Sequence, residues 1–150
     1  MKNQQKINMI DSETFIVNTE HQRELIEFSP KLITIGMDST HCTTRYGFYL
    51  NSLQLINGKG EGIPVAHLMS LSESQDTVEL FLDNLKHLFV DKDVNLITDC
   101  YPAYLNAWTS KISAPKMHIQ CFWHLKKNFK KHLISNHISG TSTITTYMLI

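Results

Sequence analysis

Residues 31–38 read KLITIGMD, an apolar run rich in branched side chains that ends in a carboxylate. Leu32, Ile33, Ile35 and Met37 specify a buried strand, because such side chains pack well on a pleated surface. Asp38 then sets a charge at the strand's carboxyl end, where it costs stability unless it is solvated, paired or metal-bound. The arrangement returns once. Residues 94–98, VNLIT, form a second short apolar strand, and Asp99 closes it.

The elements around these two strands set the architecture. Residues 45–56, RYGFYLNSLQLI, mix aromatics with alternating polar residues and read as a strand. Asn57-Gly58-Lys59-Gly60 is a turn. Residues 62–69, GIPVAHLM, follow as a third strand, with Pro64 near its start or on an edge. The period then changes. Ser72 or Ser74 can cap a helix in which Val78, Phe81, Leu82, Leu85 and Leu88-Phe89 recur at helical spacing. After the strand at 94–98, residues 101–111 form a helix with Pro102 in its first turn. Residues 116–122, KMHIQCF, make a fifth strand, and residues 123–134, WHLKKNFKKHLI, a helix. Its Leu125, Phe129 and Leu133 share one face, with Lys126, Lys127, Lys130 and Lys131 elsewhere. Trp108 and Trp123 read most simply as core residues.

The order is βββαβαβα. An antiparallel meander followed by right-handed βαβ crossovers gives an α/β fold with a mixed sheet and helices on its faces, the pattern of the ribonuclease H-like fold. Residues 1–30 read as an N-terminal extension, in which 19–28 form a short helix capped by Thr19 and ended at Ser29-Pro30. Residues 31–134 are the core. Residues 135–150, rich in Ser and Thr, have no clear period and read as an atypical tail.

Composition excludes several classes. Hydrophobic residues make up 42% and charged residues 19% of the 150, which is neither a disordered nor a low-complexity balance. No apolar run is long enough to span a bilayer, and Met1 to Ile10 carries no signal-peptide core. Three cysteines, Cys42, Cys100 and Cys121, form no paired spacing and fit reduced thiols in an intracellular compartment. The formal net charge is zero, but it is unevenly spread. Residues 1–99 hold 14 acids and 8 Lys or Arg, a charge of −6, whereas residues 100–150 hold 6 Lys and no acid. A basic segment behind an acidic body hints at a polyanion partner, while on charge alone a solvated helix face is the simpler reading.

Asp38 and Asp99 carry the chemistry to be weighed. Ligands gather at the carboxyl ends of parallel strands. If the first and fourth core strands are neighbours, the two acids meet there. Grouped carboxylates suit hard cations such as Mg²⁺, which can activate an attacking oxygen and stabilise a leaving one in phosphoryl transfer. Either Asp alone could instead cap a turn.

The motifs resemble a known family. Asp38-Ser39-Thr40-His41 followed by Tyr46-Gly47-Phe48 resembles the first catalytic block of Mutator-like (MULE) transposases, in the DSTH branch related to zinc-finger SWIM-domain proteins. Gly60-Glu61-Gly62-Ile63-Pro64-Val65-Ala66 is similar to the family's next strand, and Ser72-Glu73-Ser74 to the opening of its helix. Thr98-Asp99, Asn106-Ala107-Trp108 and Cys121-Phe122-Trp123-His124 are similar to the second acid, the helix behind it and the family's Cys-x-x-His pair. The resemblance covers about residues 20–134.

It implies a DDE-type transposase core, with Asp38 and Asp99 as catalytic, metal-binding acids for Mg²⁺ or Mn²⁺. It also implies DNA as partner and a nuclear location. The family's third acid is a Glu well downstream, and no Asp or Glu follows Asp99. The expectation is therefore a core incomplete at its C-terminal side and inactive alone, or a domesticated DNA-binding or interaction module. A chain that does not fold stably, with one sheet face short of cover, is a third reading. Lys126, Lys127, Lys130 and Lys131 are the candidates for DNA-backbone contact. Cys121 and His124 are a family pair of unsettled role. One Cys and one His do not complete a four-ligand zinc site, and Cys100, His118, His132 and Cys42 are unforced partners, so zinc is not expected. His41 is expected to hydrogen-bond within its turn.

Overall fold

The computed structural model describes residues 5–11, 13–40 and 45–135. The chain begins with a hairpin, β1 (Gln5–Asp11) and β2 (Thr14–Thr19), paired antiparallel. Residues 5–11 and 14–19 are thus paired strands, in the stretch that the sequence suggests is an extension. Thr19 ends β2 and caps α1 (Glu20–Glu27) through a full capping box, its Oγ1 accepting from Gln22 N while Gln22 Oε1 accepts from Thr19 N.

The meander follows: β3 (Leu32–Thr40), β4 (Tyr49–Ile56) and β5 (Gly62–Ser70). The turn between β4 and β5 is held by Asn57 Oδ1, which accepts from Lys59 N and Glu61 N. Gly60 there adopts φ +80°, a conformation that favours glycine. Pro64 sits where β5 shifts register against β4 and lies outside its pairing with β2, the kind of irregular strand position where proline is tolerated. Ser74 then caps α2 (Gln75–Leu85), which a 3₁₀ turn at Lys86–Phe89 extends. Next come β6 (Asp93–Thr98), α3 (Pro102–Lys111) with Pro102 at its start, β7 (Met117–Gln120) and α4 (Phe122–Ser135). β7 is shorter than the sequence suggests, because Cys121 turns the chain and Phe122 already belongs to α4.

The strands form one seven-stranded sheet in the order β1-β2-β5-β4-β3-β6-β7. β3 pairs parallel with β6, and β6 parallel with β7. The five strands from β5 to β7 carry the ribonuclease H-like topology, and the N-terminal hairpin widens the antiparallel side.

The two sheet faces are treated differently. Ile33, Ile35, Met37, Leu53, Val94 and Leu96 point to one face and are buried there under α1, α2 and α3. Val78, Phe81, Leu82 and Leu85 of α2 enter this core, with Tyr104, Ala107 and Trp108 of α3. Trp108 is fully buried and meets the Phe89 ring edge-on, with centroids 5.1 Å apart. The alternate residues, Gly36, Asp38, Gln54 and Ile97, point to the other face, where Cys121 and His124 at the start of α4 line a shared cleft with them. Of α4's apolar residues only Leu133 is buried. The tail at 136–150 lies outside the described residues.

Candidate active site

The register of the parallel pair places the two acids. The last pair is Gly36 with Ile97. Two residues further along each chain stand Asp38, still within β3, and Asp99, the first residue past the end of β6. Asp38 keeps half of its side chain exposed. Asp99 is less open, and burial pushes its carboxyl above the usual range. The Tyr101 N–H, 2.8 Å from Asp99 Oδ1, and His124 act in the opposite sense, while Glu73 and Asp38 add to the rise. Asp99 therefore turns the chain into α3 and lies within electrostatic reach of Asp38.

His124 closes the site from the α4 side. Its Nε2 is 3.7 Å from Asp38 Oδ1, and its buried Nδ1 has no partner among the described residues. The helix that carries it is anchored by the residue just before its start. Cys121 N donates to Thr98 O at 2.7 Å, and Leu125 N donates to Cys121 O at 3.0 Å. The Cys-x-x-His spacing thus sets Cys121 at the sheet edge and brings His124, one turn on, over Asp38. A cleft of about 300 Å³ next to it is lined by Asp99, Cys100, Tyr101, His124, Lys127 and Asn128. The larger surface cleft, between α1 and the 3₁₀ turn, lies at the amino ends of β3 and β6, away from both acids.

Glu73 is a residue that sequence reasoning did not single out for the site. It precedes α2, and its Oε1 is 2.8 Å from the Tyr104 hydroxyl, which also lies 2.7 Å from Asn51 Oδ1. Burial first, and Glu73 second, hold the Tyr104 hydroxyl protonated far above its ordinary range. A phenol has one hydrogen to donate, and Asn51 Nδ2 is buried with no partner among the described residues. Turning the Asn51 amide over satisfies both groups: Nδ2 donates to the phenol oxygen and the phenol donates to Glu73.

The remaining candidates separate. Lys127, Lys130 and Lys131 are exposed on α4, and Lys126 is half-buried. Trp108 is core as expected. Trp123 is not: it is 60% exposed, because α4 covers only part of its sheet face. His118 Nε2 is 2.9 Å from Thr98 Oγ1, which engages it away from Cys121. His41 and Cys42 lie outside the described residues. Among the described residues, no group of three or more His, Cys, Asp or Glu side chains is gathered closely enough to hold a metal ion.

Residues 34–128 match the family model for the MULE transposase domain, a span of more than half the chain that includes Asp38, Glu73, Asp99, Cys121 and His124 and stops short of Lys130 and Lys131. The chain belongs to the MULE transposase family. No curated protein matches it. Among solved structures it is similar to a transposase in a Drosophila P element transposase strand transfer complex, at 14% identity and a TM-score of 0.45. That similarity covers 85% of this chain and 35% of the other, so this MULE domain spans about a third of the P element chain's length. Among its described residues no helix is long and apolar enough to cross a membrane.

Proposed function

We propose that this chain is the first part of a DDE-type MULE transposase core, in which Asp38 and Asp99 hold a divalent cation and the lysines of α4 hold DNA. The observation that carries the reading is the placement of both carboxylates two residues past the last pair of β3 and β6. The donor set fits Mg²⁺ or Mn²⁺. Mg²⁺ is bound through one or two carboxylates and keeps several waters, so two acids, each lining one of the two clefts that His124 shares, suffice for weak binding. A cation there would also relieve the crowding of negative charge that Glu73 and Asp38 impose on Asp99.

Bound, the ion would activate a water or 3′ hydroxyl for attack on a DNA phosphate. The chain's own residues do the positioning. Asp38 offers its exposed oxygens. Asp99 is fixed by the Tyr101 N–H, and His124 limits access to Asp38 from the α4 side. Lys127, Lys130 and Lys131 give affinity for phosphates without reading sequence. Residues 100–150 hold no Asp or Glu, so the third acid of a DDE set is not among them, and what is proposed for the residues given is binding of metal and DNA.

Titration calorimetry with MnCl₂ tests the site. Asp38→Asn is expected to abolish the binding isotherm, and an unchanged isotherm would show the site misassigned. A second reading, a domesticated DNA-binding module with no metal chemistry, is favoured by the lysines of α4, which need no metal. It gains if DNA binding persists unchanged in EDTA while no cation binds.

A further inference from the structure

Trp123 was expected in the core and is not there. Counting along α4 from Trp123, the residues at i+3, i+4, i+7 and i+8 are Lys126, Lys127, Lys130 and Lys131. That spacing defines one helix face. The apolar stripe of Leu125, Phe129 and Leu133 lies on another. So the indole heads the cationic stripe. It is 60% exposed, and the Lys127 ammonium sits 4.8 Å from its ring centroid. The next residue, His124, stands 3.7 Å from Asp38, so the stripe starts beside the two acids and runs outward from them. Lys127 also lines the cleft that holds Asp99 and Tyr101.

We propose that this face of α4 binds unpaired DNA, with Trp123 stacking on one exposed base while the lysines hold the flanking phosphates. Charge decides the class of partner: four cations and no carboxylate stand on the stripe, which suits a polyanion. The exposed aromatic decides its state. In a duplex the base faces are already stacked on their neighbours, whereas in a separated strand they are free to meet an indole. A lysine over the ring is compatible with this, because the ammonium can move to a phosphate when a base takes its place. A strand laid along the stripe would lead into the cleft beside Asp38 and Asp99. The proposal rests on the reading of DNA as partner and adds which form of DNA, and through which residue.

The test compares an oligothymidylate of about 16 nucleotides with a fully paired duplex of equal length at low salt, reading affinity and tryptophan emission. Trp108 is buried, so a change in emission on binding reports Trp123. Saturating oligothymidylate is expected to quench that emission, and the duplex to leave it nearly unchanged. Trp123→Ala should weaken oligothymidylate binding roughly ten-fold while leaving duplex affinity alone. Trp123→Phe, which keeps a stacking ring, should restore most of the loss. Changing the four lysines to Gln should weaken both ligands. If Trp123→Ala binds both ligands like the wild type, or weakens both equally, stacking is overturned and the lysine reading stands. If neither ligand binds the wild type, the reading of DNA as partner falls with it.

Discussion

α3 and α4 lie on opposite faces of the same sheet, and each carries one of the two tryptophans. Trp108 of α3 is buried against Phe89, inside a core built from α2, α3 and the inward residues of β3, β4 and β6. Trp123 of α4 stands in solvent beside a lysine. The difference teaches that the two faces have different duties. One face supplies stability. The other holds Asp38, Asp99 and His124 and keeps the surroundings of the acids open. If the two acids hold a cation and a phosphate chain, as proposed, they need access more than they need cover.

Substitution of the two tryptophans is the bluntest way to break this comparison. Trp108→Ala should cost about 3–5 kcal/mol, as large-to-small changes in packed cores do. Trp123→Ala should stay within about 0.5 kcal/mol. Urea unfolding of both variants reads the difference. Equal losses would mean that α4's outer face is packed and the asymmetry unreal.

Tyr104→Phe tests how the stability face reaches the acids. It removes the hydroxyl shared by Asn51 and Glu73. The expected loss is about 1–3 kcal/mol, since buried partners are left without a donor or acceptor. If the variant is as stable as the wild type, Glu73 is held near Asp99 by something else.

Asp99→Asn should act in the opposite direction. Burial raises the folded-state pKa of Asp99 above its unfolded value. The folded chain therefore holds that proton to higher pH, and stability falls as pH rises from about 4 through the raised value. At pH 7 the ionised group is a net cost, which asparagine removes while still accepting from Tyr101 N. Its melting temperature at pH 7 should exceed that of the wild type, with the advantage gone below about pH 4. Such a gain, together with loss of cation binding, is what a residue kept for function rather than stability would show.

How much of this was legible depended on where the information lay. The meander, both crossover helices and the parallel pairing of the strands that end near Asp38 and Asp99 were readable, because each strand is a local apolar run and the order of elements leaves few topologies. β2 was not. Its inward residues include Thr14 and Asn18 while Phe15 and Val17 face outward, so its sequence shows no polar alternation. The hairpin is held by partners in β5, and Asn18 Nδ2 donates to Val65 O from 47 residues away. Glu73 was invisible for a similar reason, since its place at the site depends on a tyrosine 31 residues on. Trp123 could have been found. Its spacing to four lysines is plain in the sequence, and size and apolarity imply burial only when a helix face is covered.

The smallest expected effect measures how far the open face is open. His67 of β5 lies on that face, in a row with Ser52 and Asp38 across β4 and β3. Burial lowers its pKa, and Ser52 Oγ is 3.0 Å from its Nδ1. With the folded value depressed, the unfolded chain takes up the proton first. Stability is then fully present above about pH 6.5 and declines as pH falls below it. His67→Gln, which cannot take up that proton, should flatten the decline between about pH 7 and 5. NMR titration of the His67 ring reads the same quantity directly. A depressed value would mean that the face is dry around β4 and β5 and open only near the acids. An ordinary value would mean that water reaches across the whole face, and the contrast between the sides of the sheet would be wider than the burial of their side chains suggests.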